Sequence, residues 1–133
     1  MLSKNKLKLF NSLKLRKYRK KYSLFLAEGN KIVFDLLNSS YHCSYLIVVS
    51  DLEIKNLNSF KGEILYVSQS EMKKISSMKT APKIIGVFET NYTTIDFIEL
   101  NSVLSFYADD IQDPGNFGTI IRTADWFGIK HII

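Results

Sequence analysis

Of the residue types that most often build metal cages, covalent staples and sharp bends, the 133 residues contain one cysteine, two histidines, two prolines and six glycines. A lone Cys43 excludes an intrachain disulfide and a thiolate cage, and with only His42 and His131 beside it a zinc site would need distant carboxylates to converge. No stretch approaches the roughly 20 uninterrupted apolar residues of a membrane helix. The opening MLSKNKLKLF lacks the long apolar segment of a secretion signal, so a soluble, cytoplasmic protein with no membrane partner is expected. Acidic residues are missing from the first 21 positions altogether.

That last absence gives the charge its meaning. Lys4, Lys6, Lys8, Lys14, Arg16, Lys17, Arg19, Lys20 and Lys21 stand together, whereas the remaining nine basic residues face thirteen acidic ones, so the net charge of +5 is an N-terminal property. Nine like charges repel one another, and a purely solubilising helix face is the poorer account of them. A phosphate backbone is the better one, because each neutralised phosphate releases counterions whatever the base sequence, and Phe10, Tyr18 and Tyr22 lie among the cations. Lys14, Arg16, Lys17, Arg19, Lys20 and Lys21 are the candidate nucleic-acid contacts. An anionic membrane fits less well, since Leu7, Leu9, Phe10, Leu13 and Leu15 make no single broad stripe.

At 46% apolar, the chain can bury one modest core and part of a second. After the basic segment the pattern alternates between strand and helix. Leu24 to Ala27 reads as a strand ended by Glu28-Gly29, and Ile32, Val33, Leu36 and Leu37 recur at helical spacing. Tyr45 to Val49 and Ile64 to Val67 read as strands; Ser68 or Ser70 caps a short helix with Met72, Ile75 and Met78 facing inward. Pro82 interrupts, and Ile84 to Phe88 is a further strand. This predicts an α/β domain over residues 1–89 with its sheet shielded by helices. Residues 90–101 are polar and threonine-rich and read as a linker or short connecting helix.

A second unit over 102–133 begins with a strand at Val103 to Ala108, continues through an aspartate-rich turn into a helix from about Asn116 or Phe117 to Phe127, and reaches another strand at His131. Ile120, Ala124 and Phe127 share one helix face, and Gly128 suits a left-handed cap. One βαβ step cannot cover both faces of its strands. The expectation is therefore a natural protein that continues, or a truncated chain, with apolar strand edges free to associate.

In open α/β sheets ligands bind at the carboxyl ends of strands, where this sequence places Asp109, Asp110, Gln112 and Asn116. Pro114 and Gly115 are read as a tight turn, Asn116 as the cap of the helix, and Gly118 as the removal of a side chain that would crowd a ligand or a facing strand. Arg122, one turn beyond Gly118, would face the same cleft and clamp a phosphate or polarise a hydroxyl. Bland readings exist for each: the aspartates as turn formers, Arg122 as a surface partner of Asp125, Trp126 as packing. The glycines form neither a dinucleotide fingerprint nor a phosphate loop.

The run Asn116-Phe117-Gly118-Thr119-Ile120-Ile121-Arg122-Thr123-Ala124-Asp125-Trp126-Phe127-Gly128, led by Asp110-Ile111-Gln112-Asp113-Pro114-Gly115, resembles the first motif of the SpoU or TrmH-like RNA ribose 2′-O-methyltransferases of the SPOUT superfamily. Phe25-Leu26-Ala27-Glu28-Gly29-Asn30-Lys31-Ile32 resembles the phrase with which their substrate-binding domain begins. The resemblance implies an L30e-like α/β/α substrate-binding domain over 1–89, a linker over 90–101, and at 102–133 the first βαβ step of a truncated SPOUT domain, whose full form is a knotted α/β fold. It implies Asn116 and Arg122 as catalytic-site residues, with Asp113, Gly115, Gly118 and Gly128 as motif residues holding the turn and helix. Gly29 and Glu28 would be substrate-domain residues, Glu28 being structural or orienting an arginine such as Arg19.

The implied reaction moves a methyl group from S-adenosylmethionine to a ribose 2′-oxygen of ribosomal RNA, with transfer RNA as second choice, in a homodimeric enzyme. Arginine cannot accept a proton at ordinary pH, so an electrostatic role for Arg122 is preferred to that of a general base. The second and third motifs of the family, which make the cofactor pocket and most of the dimer interface, have no counterpart after Ile133. The 133 residues alone are therefore expected to bind no S-adenosylmethionine and to catalyse nothing. A contrasting reading treats the chain as a non-catalytic RNA-binding module, and a third as a scaffold without RNA.

Overall fold

A computed structural model describes residues 2–52, 60–91, 100 and 102–133. They fall into two units, Met1–Asn91 and Tyr92–Ile133. Most of the segment read as a linker, 92–99 and 101, lies outside the described residues.

The first unit runs α1 (Lys4–Ser12), α2 (Arg16–Tyr22), β1 (Leu24–Glu28), α3 (Asn30–Leu37), β2 (Cys43–Val49), β3 (Glu63–Val67), α4 (Gln69–Ile75) and β4 (Ile84–Glu89). The strands form one mixed sheet in the order β1-β4-β2-β3, with β2 and β3 parallel and both other pairs antiparallel. Strand period places alternate side chains on opposite faces. Ile47 and Val49 of β2 and Ile85 and Val87 of β4 join Phe10, Leu13, Met72 and Ile75 on one side. Leu46, Val48, Ile84 and Phe88 join Ala27 and Val33 on the other. Helices α1 and α4 thus cover one face and α3 covers the other, a three-layer α/β/α arrangement. Gly86 lies under the Phe88 ring, and a Cβ there would collide with it.

Helix α4 starts where a capping box satisfies two orphan amides: Ser68 Oγ accepts from the Glu71 N–H at 3.3 Å and Glu71 Oε2 accepts from the Ser68 N–H at 2.9 Å. Met78, expected to face inward, is 54% exposed because α4 ends at Ile75 and the chain leaves the helix before reaching it. The basic segment is not a loose tail, since Phe10 and Leu13, three positions apart, are 0% and 1% exposed in the core.

In the second unit β5 (Ser105–Phe106), α5 (Pro114–Trp126) and β6 (His131–Ile132) form a parallel βαβ step, registered Ser105 to His131 and Phe106 to Ile132. The strand expected over Val103 to Ala108 is shorter, with Leu104 75% and Tyr107 70% exposed, although the Ala108 N–H still donates to Ile133 O at 2.7 Å. Helix α5 begins earlier than expected. Pro114 and Gly115 are its first two residues and not a separate turn, and its cap is Asp113 and not Asn116: Asp113 Oδ1 accepts the Asn116 N–H at 2.7 Å. Gly128, at φ +70°, donates to Asp125 O at 3.0 Å while Ile129 donates to Ala124 O at 2.8 Å, a Schellman ending that fits the expected left-handed cap. Ala124 is buried at 4%, but Phe127 and Trp126 are 73% and 86% exposed, so neither is packing material among the described residues.

Candidate catalytic turn and nucleic-acid interface

The loop after β5 and the first turn of α5 enclose an open cleft of about 550 Å³ lined by Asp110 to Asp113, Asn116, Thr119 and Ile120. Asp110 turns the chain with φ +46°, a left-handed conformation that aspartate tolerates, and its carboxylate accepts from Gln112 Nε2 at 3.2 Å. Asp113 is held at the N-terminus of α5, where a negative charge is favoured. Gly115 has a steric reason to be glycine, because a Cβ there would stand 3.1 Å from Asp113 Oδ1 and press on the cap. At Gly118 a Cβ would meet nothing within 4 Å, so no described residue is crowded there, contrary to the facing-strand part of the expectation.

Asn116 lines the cleft and Arg122 does not. Six residues along a helix bring Arg122 about 120° round from Asn116. Between them stands Thr119, which lines the cleft, donates from Oγ1 to Gly115 O at 3.0 Å and accepts from Arg122 Nη2 at 3.5 Å. Arg122 is thus turned back toward the start of the helix and makes no ion pair with Asp125, so the surface-pair reading does not describe it. Thr119 was not singled out in the sequence, though its place three residues from both Asn116 and Arg122 was the available signal.

S-adenosylmethionine needs partners for a sulfonium, an ammonium and a carboxylate. The cavity behind α5, about 200 Å³, is lined by Phe106, Ile120, Ala124, Phe127 and Ile129 together with Thr119 and Thr123. Both threonine hydroxyls are already bound to helix carbonyls, Thr119 to Gly115 and Thr123 to Thr119. The residues lining this cavity therefore do not fit the cofactor. The described residues include no group of three or more His, Cys, Asp or Glu side chains placed to hold a metal.

The six candidate RNA-binding cations of the first unit divide into two sets. Arg19 Nη1 donates to Leu13 O and Lys14 O at 3.1 and 2.9 Å, and Lys14 Nζ donates to Lys74 O and Ser76 O at 3.3 and 3.1 Å. These two secure the carboxyl ends of α1 and α4, where cations are favoured. Arg16, Lys17, Lys20 and Lys21 are exposed along α2. Lys17 and Lys21 lie 4.9 and 5.5 Å from the Tyr18 and Tyr22 ring centroids, and those rings stack at 6.2 Å and 12°.

Glu28 does not orient Arg19. Its carboxylate accepts from Ser76 Oγ and from the Ser77 N–H, the latter at 3.0 Å, and so ties the end of β1 to the loop after α4. Gly29 follows at φ +104°, starting α3 in a conformation open to glycine.

Residues 4–86 match the family of the MRM3-like substrate binding domain. The chain belongs to this family. It is similar to the 23S rRNA (guanosine(2553)-2′-O)-methyltransferase RlmP of Bacillus subtilis, with 28% identity over 96% of this chain and 50% of that protein. Among solved structures, a TrmH-family protein from Porphyromonas gingivalis matches 99% of this chain and 51% of its own, at 34% identity and a TM-score of 0.77. An AdoMet-bound rRNA methyltransferase from Sinorhizobium meliloti matches 99% of this chain and 51% of its own, at 27% identity and a TM-score of 0.74. The chain thus spans about half the length of these relatives. The resemblance carried by Phe25 to Ile32 and by Asn116 to Gly128 holds at the level of the family: residues 4–86 match the MRM3-like substrate binding domain, and the chain is similar to SpoU/TrmH-like RNA methyltransferases over about half of their length. Among its described residues no helix is long and apolar enough to cross a membrane.

Proposed function

We propose that these residues serve an RNA 2′-O-ribose methyltransferase that takes its methyl group from S-adenosylmethionine and acts on ribosomal RNA as a cytoplasmic homodimer. Unit Met1–Asn91, with an L30e-like layer order, binds the RNA backbone through Arg16, Lys17, Lys20 and Lys21. Unit Tyr92–Ile133 opens the methyltransferase domain and contributes the cap-and-cleft at the start of α5. The observation that carries the reading is the cleft at a strand's carboxyl edge lined by Asn116 and Thr119, with the Arg122 guanidinium outside that lining and tied to Thr119 Oγ1 at 3.5 Å.

Asn116 would hold the ribose in place by its amide. Arg122, always cationic, would stabilise charge developing on the 2′-oxygen, swinging from its long 3.5 Å bond to Thr119 at little cost. S-adenosylmethionine would supply the electrophilic methyl group, and no residue described here is assigned to hold it.

Methyl transfer to ribosomal RNA by the protein spanning the full length of its relatives tests the enzymatic half. No transfer to any ribosomal RNA would overturn it. Binding of RNA by the 133 residues in rising salt tests the other half, since a backbone-driven complex weakens steeply. Indifference to salt would remove the cations from the interface.

A further inference from the structure

The end of α2 opens on a cleft of about 380 Å³ that the reaction does not use, within the size range of small-molecule sites. Tyr22 lines it together with Leu24 at the start of β1, Ser44 and Tyr45 in β2, and Glu89 and Thr90 at the end of β4. Three strand ends meet there because Leu24 is registered with Glu89 and Cys43 with Phe88.

The ladder is irregular between Cys43 and Tyr45, so Ser44 sits at a bulge, a device that re-aims a side chain. Ser44 Oγ donates to Glu89 Oε1 at 3.0 Å, which leaves Oε2 without a hydrogen bond among the described residues. Thr90 Oγ1 is sealed from solvent and has no partner among the described residues. The Tyr22 ring at the mouth is 42% exposed, with Lys21 5.5 Å from its centroid.

We infer that this cleft takes one unpaired nucleotide of the RNA, its base stacked on Tyr22 and its exocyclic amine donated to Glu89. The inference rests on the RNA-binding reading above and adds what that reading lacks, a preference for strand state and base. Every base offers a π-face to an aromatic platform, but only an unpaired base can reach one, because an A-form duplex keeps its bases stacked inside. A carboxylate can only accept hydrogen bonds. Cytosine presents an N4 amine where uracil presents a carbonyl oxygen, so Glu89 welcomes the first and repels the second.

Three labelled probes test this by fluorescence anisotropy on the 133-residue chain: an oligocytidine, an oligouridine and a blunt RNA duplex. The chain should bind oligocytidine about tenfold tighter than oligouridine. Tyr22→Ala should weaken oligocytidine binding about tenfold while duplex affinity stays within about twofold, and Tyr22→Phe should restore it. Glu89→Gln should erase the preference for cytosine, and circular dichroism melts establish that each variant is folded. Equal affinity for the two single strands, or loss on Tyr22→Ala that is shared by the duplex, overturns the cleft assignment and leaves backbone binding standing. Failure to bind any of the three overturns the RNA-binding reading and the cleft with it.

Discussion

Glu71 accepts the backbone amide of Leu2 at 2.9 Å, joining the N-terminal arm to the first turn of α4 across 69 positions of sequence. Its other oxygen accepts from the Ser68 amide, and the two backbone bonds hold the carboxyl down from its usual 4.5 to about 2. A group depressed in the folded state contributes stability that is complete above its unfolded pKa and is lost as pH falls through its folded pKa. Thermal melts should therefore decline between about pH 4.5 and 2 through this residue. Glu71→Gln should flatten the decline in that window, and a profile unchanged by the substitution would remove Glu71 as the cause.

Cys43 is 5% exposed, burial pushes its thiol up to about 11, and the S–H donates to Tyr45 O at 3.3 Å. The thiolate is the reactive species. A disulfide reagent at pH 8 should leave the native chain untouched and modify it fully once denaturant unfolds it. Rapid native modification would show that β2 opens at its first residue.

Arg122→Ala, in the protein of full relative length, should lower kcat about 10²–10³-fold, the usual cost of removing one preorganised charge-stabilising group. RNA affinity should stay within about twofold if the guanidinium acts on the reacting oxygen alone. Thr119→Val removes the residue that steers Arg122 and should give a smaller fall in the same direction. Unchanged turnover in Arg122→Ala would take the arginine out of the chemistry.

Phe10→Ala should cost about 3–5 kcal/mol, since the ring is fully buried and meets Tyr45 edge-on at 5.4 Å. Replacing Arg16, Lys17, Lys20 and Lys21 together by alanine should leave the melting temperature nearly unchanged. The same change should flatten the salt dependence of RNA binding by about three units of log–log slope. If both variants lose stability alike, α2 is structural and the charge account of it fails.

The strands β1, β2 and β4 and the helix α3 were legible because each rests on a local pattern, a short apolar or β-branched run or helical spacing, whereas the α4 cap was left between Ser68 and Ser70 until the Glu71 partner showed it to be Ser68. The role of α1 was hidden. Its two core residues stand among lysines, and only the distant partners Met72, Ile75 and Ile85 explain why Phe10 and Leu13 turn inward. Sheet order and the parallel pairing of β2 with β3 are set by contacts far apart in sequence, which periodicity does not encode. At the candidate site only Asn116 was read as the cap, but Asp113 has equal capping propensity and takes the place because Pro114 fits the first helical position. The Ser44 bulge left no trace in the sequence, since one extra residue in a strand changes nothing until its partner is known.

Because Phe10 and Leu13 are bolted into the interior, the positive helix that follows them is carried on a stiff mount. Shortening the chain at its front would strip hydrophobic filling along with charge and collapse the domain, whereas exchanging side chains on α2 would not. A ligand meeting that surface finds it already arranged, so little ordering entropy opposes association and the heat-capacity change on binding should be small.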